Sequence, residues 1–175
     1  MLLELSSIRS PHTAVSEVYS PEAFGPADEA YRIVEPARLQ FDVVKSDDRY
    51  QLTGHVATVL ELPCSRCLEP FRWPVDASFD LVYRPQSTNV GEGEVEVGDE
   101  DLSTAFYGGD AIDLGQLMRE QFYLALPMKP LCRDDCQGLC PICGQNLNRG
   151  TCTCKPQWTD PRLAVLEGLG KKRDS

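Results

Sequence analysis

Nothing in this chain of 175 residues is both long and apolar: no run approaches the roughly 18–20 residues that a membrane-spanning helix requires. Met1-Leu2-Leu3-Glu4 at the start has neither a basic n-region nor an extended apolar h-region, so a secretory signal is not expected and the expected address is the cytoplasm. Histidine is scarce. The two present, His12 and His55, have no partner by spacing and read as surface or half-buried imidazoles. G-x-S-x-G, the P-loop and the dinucleotide fingerprint are all missing, which removes the enzyme classes built on them. Basic charge is in deficit: 17 Lys and Arg stand against 27 Asp and Glu, for a net charge of −10. Such a chain does not coat nucleic acid electrostatically over its whole surface.

What is there divides in two. Residues 1–127 hold 9 basic and 22 acidic side chains, whereas residues 128–175 hold 8 and 5. Six of the eight cysteines also follow position 128. The composition therefore predicts an acidic body over 1–127 and a neutral-to-basic, cysteine-rich module over 128–175.

The body reads as mainly β. Arg38–Val44 alternates, Ser46-Asp47-Asp48 is a turn signal, Tyr50–Leu62 is a long strand candidate, and Phe71–Tyr83 alternates. In the last of these Phe71, Trp73, Val75, Ala77, Phe79 and Leu81 share one face. Three strands with short connections predict an antiparallel meander, with residues 64–70 at the tip of its second hairpin. Residues 86–101 mix glycine with Glu92, Glu94, Glu96, Asp99, Glu100 and Asp101, a solvated loop or a landing strip for a basic partner. A helix near 113–126 follows. Asp113 is its cap, Gln116 completes a capping-box-like pair, and Ile112 and Leu117 fit a hydrophobic staple. Leu114, Leu117, Met118, Gln121 and Ala125 line one face, and Pro127 stops the helix. Asp160-Pro161 opens a second, short helix with Leu163, Leu166 and Leu169 on one edge. The fold class is thus α+β: an antiparallel β-sheet body with one packed helix and a C-terminal zinc-knuckle module.

The cysteines bear the chemistry. They fall into four close pairs: Cys64/Cys67, Cys132/Cys136, Cys140/Cys143 and Cys152/Cys154. Cytoplasmic thiols are kept reduced, so paired cysteines there point to metal before disulfides. A structural zinc ion takes four ligands, so these pairs match two closed, all-thiolate sites with no open position for catalysis. Cys140-Pro-Ile-Cys-Gly144 is the most specific. Pro141 fixes φ beside the first ligand, and Gly144 can adopt the left-handed turn that aims backbone N–H groups at the sulfurs. The favoured pairing joins Cys140 and Cys143 to Cys152 and Cys154, and Cys64 and Cys67 to Cys132 and Cys136. The rival is a single site drawn from the six C-terminal cysteines, with Cys64 and Cys67 left as a thiol pair. One or two structural Zn²⁺ ions are expected accordingly. Four thiolates on one Zn²⁺ leave a net −2, which Lys129, Arg133, Arg149 and Lys155 are placed to offset. Contact with RNA or another partner would use Arg133, Arg149, Lys155 and the Lys171-Lys172-Arg173 tail.

Two stretches are familiar together. One is Leu62-Pro-Cys-Ser-Arg-Cys-Leu68. The other runs from Leu126-Pro127 and Pro130-Leu131-Cys132 through Gly138-Leu-Cys-Pro-Ile-Cys-Gly-Gln-Asn-Leu147 to Asp160-Pro-Arg-Leu-Ala-Val-Leu166. In order and spacing they resemble the YceD family, bacterial and plastid proteins linked to accumulation of 23S ribosomal RNA, over roughly residues 40 to 170. The resemblance implies a non-enzymatic role in making the large ribosomal subunit. Its partner would be a large-subunit precursor, met either through a basic ribosomal protein or through ribosomal RNA, with no membrane and no small-molecule substrate. The competing reading is a thiol-redox or metal-dependent enzyme using Cys64 and Cys67. A zinc-module transcription regulator is disfavoured by the acidic body.

Overall fold

The computed structural model describes residues 1–26, 28–85 and 103–155. The short helix expected after Asp160, the acidic stretch and the Lys171-Lys172-Arg173 tail lie outside the described residues. The chain divides into two compact units: unit 1 is Met1–Ser65 with Glu69–Cys132, and unit 2 is Arg66–Leu68 with the chain from Arg133 onward.

Unit 1 contains every strand and helix described here. Its strands are β1 (Leu2–Glu4), β2 (His12–Tyr19), β3 (Arg32–Ile33), β4 (Ala37–Ser46), β5 (Arg49–Pro63), β6 (Pro70–Pro85), β7 (Thr104–Tyr107) and β8 (Ala111–Asp113), followed by the helix α1 (Leu114–Ala125). The main sheet runs β2-β4-β5-β6-β7, with β3 pairing the far end of β5, while β1 and β8 form a separate two-stranded ribbon. The class is α+β, mostly antiparallel.

The meander follows from side-chain alternation. On β4, Ala37, Leu39, Phe41 and Val43 are buried and the residues between them exposed. Ser46 pairs with Arg49, and Asp47 closes the turn at φ 54°, a left-handed conformation that aspartate tolerates. On β5, Tyr50, Leu52, Val56, Leu60 and Leu62 turn inward while Val59 sits on the opposite face. β6 presents Val75, Phe79 and Tyr83 to the same core. One feature departs from the purely antiparallel expectation: β7 runs parallel to β6, Val82 opposite Thr104. Parallel neighbours need a long crossover, and the sequence between Pro85 and Thr104 is long enough to make one.

Helix α1 begins where Asp113 Oδ1 accepts the Gly115 and Gln116 N–H groups at 2.8 and 3.2 Å. Gln116 does not complete the box by accepting from the Asp113 N–H; its side chain lies along the helix, where Nε2 donates to Glu120 Oε1, 2.9 Å away. Leu114, Leu117, Met118, Gln121 and Phe122 are buried, whereas Ala125 is only half-buried. Phe122 packs at 5.9 Å from Phe24 and edge-on at 6.1 Å from Tyr31, joining the helix to the loop before β3. No helix among the described residues is long and apolar enough to cross a membrane.

Candidate metal centre

Unit 2 is built on turns. The Leu139 and Asn146 backbones form an antiparallel bridge, and Leu147 N–H donates to Gly138 O at 2.9 Å. This returns the chain across the Cys140–Cys143 knuckle. Inside it Gly144 N–H donates to Cys140 O at 2.9 Å, Cys140 N–H donates to Gln145 O at 2.8 Å, and Ile142 N–H points at Cys140 Sγ from 3.5 Å. Gly144 has φ 72°, the left-handed value that closes the turn without a Cβ penalty.

The return places four sulfurs together. Sγ of Cys140, Cys143, Cys152 and Cys154 all lie within 4.8 Å of one another. Around a tetrahedral ion at about 2.3 Å, thiolates sit roughly 3.8 Å apart, so the donor set and its spacing both fit zinc. Of the other four cysteines, Cys64 and Cys132 belong to unit 1 and Cys67 and Cys136 to unit 2. The tetrad of unit 2 can therefore hold a metal ion.

Electrostatics explain why a cation suits this tetrad. The Cys143 and Ile142 N–H groups favour the Cys140 thiolate and bring its pKa down to about 6. Cys154 moves the other way, to about 12, through its hydrogen bond to Cys143, its burial and the neighbouring sulfur charges. For Cys152 the Cys154 backbone N–H pulls downward, but the contact with Cys140 and burial outweigh it and the pKa rises. Bare, the cluster cannot ionise fully; a divalent cation removes that conflict and releases the remaining protons.

Around the sulfurs is a polar scaffold that spacing alone does not reveal. Asn146 Oδ1 accepts the Asn148 N–H at 2.9 Å, an Asx turn. Asn148 then braces three points. Its Oδ1 accepts Gln137 N–H and Arg133 Nη2, both at 2.8 Å, and its Nδ2 donates to Cys136 Sγ at 3.3 Å. Arg66 donates from Nη1 to Cys136 O at 2.8 Å and to Asp134 O at 3.3 Å, and Leu139 N–H returns a bond to Arg66 O at 3.2 Å. At Gly138 a Cβ would lie 3.0 Å from that Arg66 oxygen, so the segment is closely fitted.

The cationic side chains named from sequence divide. Arg133 is engaged by Asn148 and by Asp135 at 3.3 Å, making it a brace. Lys129, Arg149 and Lys155 are exposed. His12 Nε2 lies 3.9 Å from Asp42 Oδ1 on the sheet, and His55 is half-buried on β5.

Comparison with known proteins gives the geometry its context. The family model described as "Large ribosomal RNA subunit accumulation protein YceD" matches residues 52–170. The chain belongs to the YceD family. A maize protein, the chloroplastic "Large ribosomal RNA subunit accumulation protein YCED homolog 1", is 29% identical over 78% of this chain and 54% of its own length. This chain thus spans about half of that plastid relative. An uncharacterised protein of Mycobacterium bovis is 34% identical over 90% of this chain and 74% of its own. The Bacillus subtilis protein YlbN is 26% identical over 82% and 79%. No solved structure matches.

Proposed function

We propose that this YceD-family chain is a non-enzymatic factor that supports accumulation of 23S ribosomal RNA and assembly of the large ribosomal subunit in the cytoplasm. Two structural Zn²⁺ ions would be held, one by Cys140, Cys143, Cys152 and Cys154, the other by Cys64, Cys67, Cys132 and Cys136. The observation that carries the reading is the family match together with a donor set of sulfur alone, the four thiols of unit 2. A closed set of four thiolates stabilises a fold and leaves no coordination position for substrate. The acidic body over 1–127 fits a basic ribosomal protein as partner, since complementary charge speeds encounter and suppresses wrong contacts.

A depletion strain resolved on a sucrose gradient tests the assignment. A selective deficit of large subunits is expected, and a normal profile removes it. Elemental assay is expected to give two zinc ions per chain. The enzyme alternative requires a reactive thiol, so rapid alkylation of Cys64 or Cys67 in metal-loaded protein would support it, and full protection of all eight thiols would oppose it. Exposed Arg149 and Lys155 favour a second partner, ribosomal RNA. Affinity for it would fall steeply with salt and weaken on charge reversal at those two positions.

A further inference from the structure

A second feature of unit 1 lies wholly among its strands and helix. A cleft of about 360 Å³ is lined by β6, β7, β8 and α1. Tyr83 forms part of its wall and is only 7% exposed, yet among the described residues its hydroxyl has no hydrogen-bond partner. Burial first, and then the charges of Glu120 and Asp113, raise the phenol to about 12, so it stays protonated beside two carboxylates. Among the described residues neither lysine nor arginine lines the cleft; the Met1 ammonium lies 3.7 Å from Asp113 Oδ1, which leaves Glu120 as the carboxylate open to a further cation. Phe106, 43% exposed, and Tyr107 supply aromatic surface next to the acids.

This set of groups selects a cation. An anion would ordinarily be drawn to the start of a helix, but here those donors are spent. Leu114 N–H donates to Met1 O at 2.8 Å, and Asp113 takes the next two. A phosphate would therefore meet two carboxylates and no free N–H. A lysine or arginine side chain would find Glu120 for its charge and the Tyr83 oxygen as an acceptor. Its methylene stem and π-facing cation would find Phe106 and Tyr107.

We propose that this cleft receives one lysine or arginine side chain from a basic segment of a protein partner. The inference rests on the reading that the acidic body docks a basic protein, and it names the place.

The test is calorimetric titration of the full, metal-loaded chain with an alternating glycine–arginine decapeptide, and with the same peptide carrying neutral citrulline for arginine. Diffuse attraction to an acidic protein is separated by comparing variants of equal charge. Glu120→Gln removes a carboxylate in the cleft, whereas Asp76→Asn removes an exposed one from the outward face of β6. Charge-assisted hydrogen bonds set the scale: about tenfold weaker binding is expected for Glu120→Gln and about fivefold for Tyr83→Phe, with Asp76→Asn within about twofold of wild type. Tyr83→Phe keeps the ring and the charge, so its loss cannot come from altered net charge or a collapsed core. The citrulline peptide is expected not to bind. Equal affinities for Glu120→Gln, Tyr83→Phe and Asp76→Asn would overturn the proposal. So would binding of the citrulline peptide, or tighter binding of oligouridylate than of the arginine peptide. Failure here alongside a selective large-subunit deficit on depletion would sink the cleft and spare the functional reading. Cleft-specific binding with a normal gradient would do the reverse.

Discussion

Each unit is stabilised internally by different physics. Unit 1 buries one contiguous apolar cluster, from Leu5 and Ile8 through the inner faces of β4, β5 and β6 to Leu117, Met118 and Phe122. Removing that much apolar surface from water is what drives an ordinary domain to fold. The described part of unit 2 buries four residues, and three of them, Cys67, Cys136 and Cys140, are cysteines; the fourth is Gly138. Its hydrogen bonds run through Asn146, Asn148 and Arg66, largely on partly exposed surface. These described residues bury no apolar cluster, so they require a staple, and the sulfurs are the available one. Different conditions should therefore break each unit.

Metal removal is the largest expected effect. Binding energy at a thiolate zinc site is folding energy, on the order of 10 kcal/mol or more for structural sites. Chelation, Cys140→Ser or Cys143→Ser should abolish amide protection across residues 133–155 while protection in β4, β5 and β6 persists. Hydrogen exchange read by mass spectrometry reports both units at once. A variant with wild-type melting and metal content would end the distinction. Acid should act in the same direction as chelation. The ligands bind as thiolates, so protons compete with the ion, and metal occupancy should fall as pH falls. Cys154, displaced upward to about 12 in the bare cluster, is the ligand that protons hold most strongly.

The converse substitution sharpens the contrast. Phe122 is fully buried between Phe24 and Tyr31. Truncating a buried phenylalanine removes its transfer energy and leaves a cavity, so Phe122→Ala should destabilise unit 1 by about 3–5 kcal/mol. Zinc content per folded chain should not change. Metal loss in step with the lost stability would show that the units do not depend on separate forces.

How much of this was legible follows the same divide. The inner faces of β4 and β6 and the Asp113 cap were readable because a period of two and a capping side chain are local signals. β2 and the parallel β7 were not. Each is fixed by a partner distant in sequence, β2 by β4 and β7 by β6. The sulfur pairs were readable because ligand spacing is itself local chemistry. The scaffold was not: Arg66 and Asn148 have the composition of any solvated turn, and only the folded chain shows which carbonyls and sulfurs they reach. The one trace in the sequence was Asn146-Leu-Asn148, where an asparagine side chain can reach the N–H two residues on.

Asn148 is the next test in size. Its amide makes bonds to Gln137, Arg133 and Cys136, and truncation leaves the Gln137 N–H and the Arg133 guanidinium without that acceptor. Asn148→Ala should cost unit 2 about 1–3 kcal/mol, the range for leaving a polar partner unsatisfied. The loss should show as faster zinc transfer to a chelator, with the melting of unit 1 unchanged. Wild-type transfer rates would mean that the sulfurs alone hold the turns.

The smallest effect concerns the start of α1. Asp113 Oδ1 satisfies two first-turn N–H groups, and its charge lies at the positive end of the helix dipole and 3.7 Å from the amino terminus of Met1. Asp113→Ala removes all three interactions and should cost about 1 kcal/mol, whereas Asp113→Asn keeps the cap bonds and loses only the charge, so about half of that is expected to return. The split is informative because the charge component is screened by salt and the cap bonds are not. Melting of the two variants at low and high ionic strength separates them: the Asn variant should approach wild type as salt rises, while the Ala variant should stay below it. If Asn were as damaging as Ala in high salt, the helix start would depend on the ionised carboxylate rather than on its hydrogen bonds. The same carboxylate would then be less available to a cation in the neighbouring cleft.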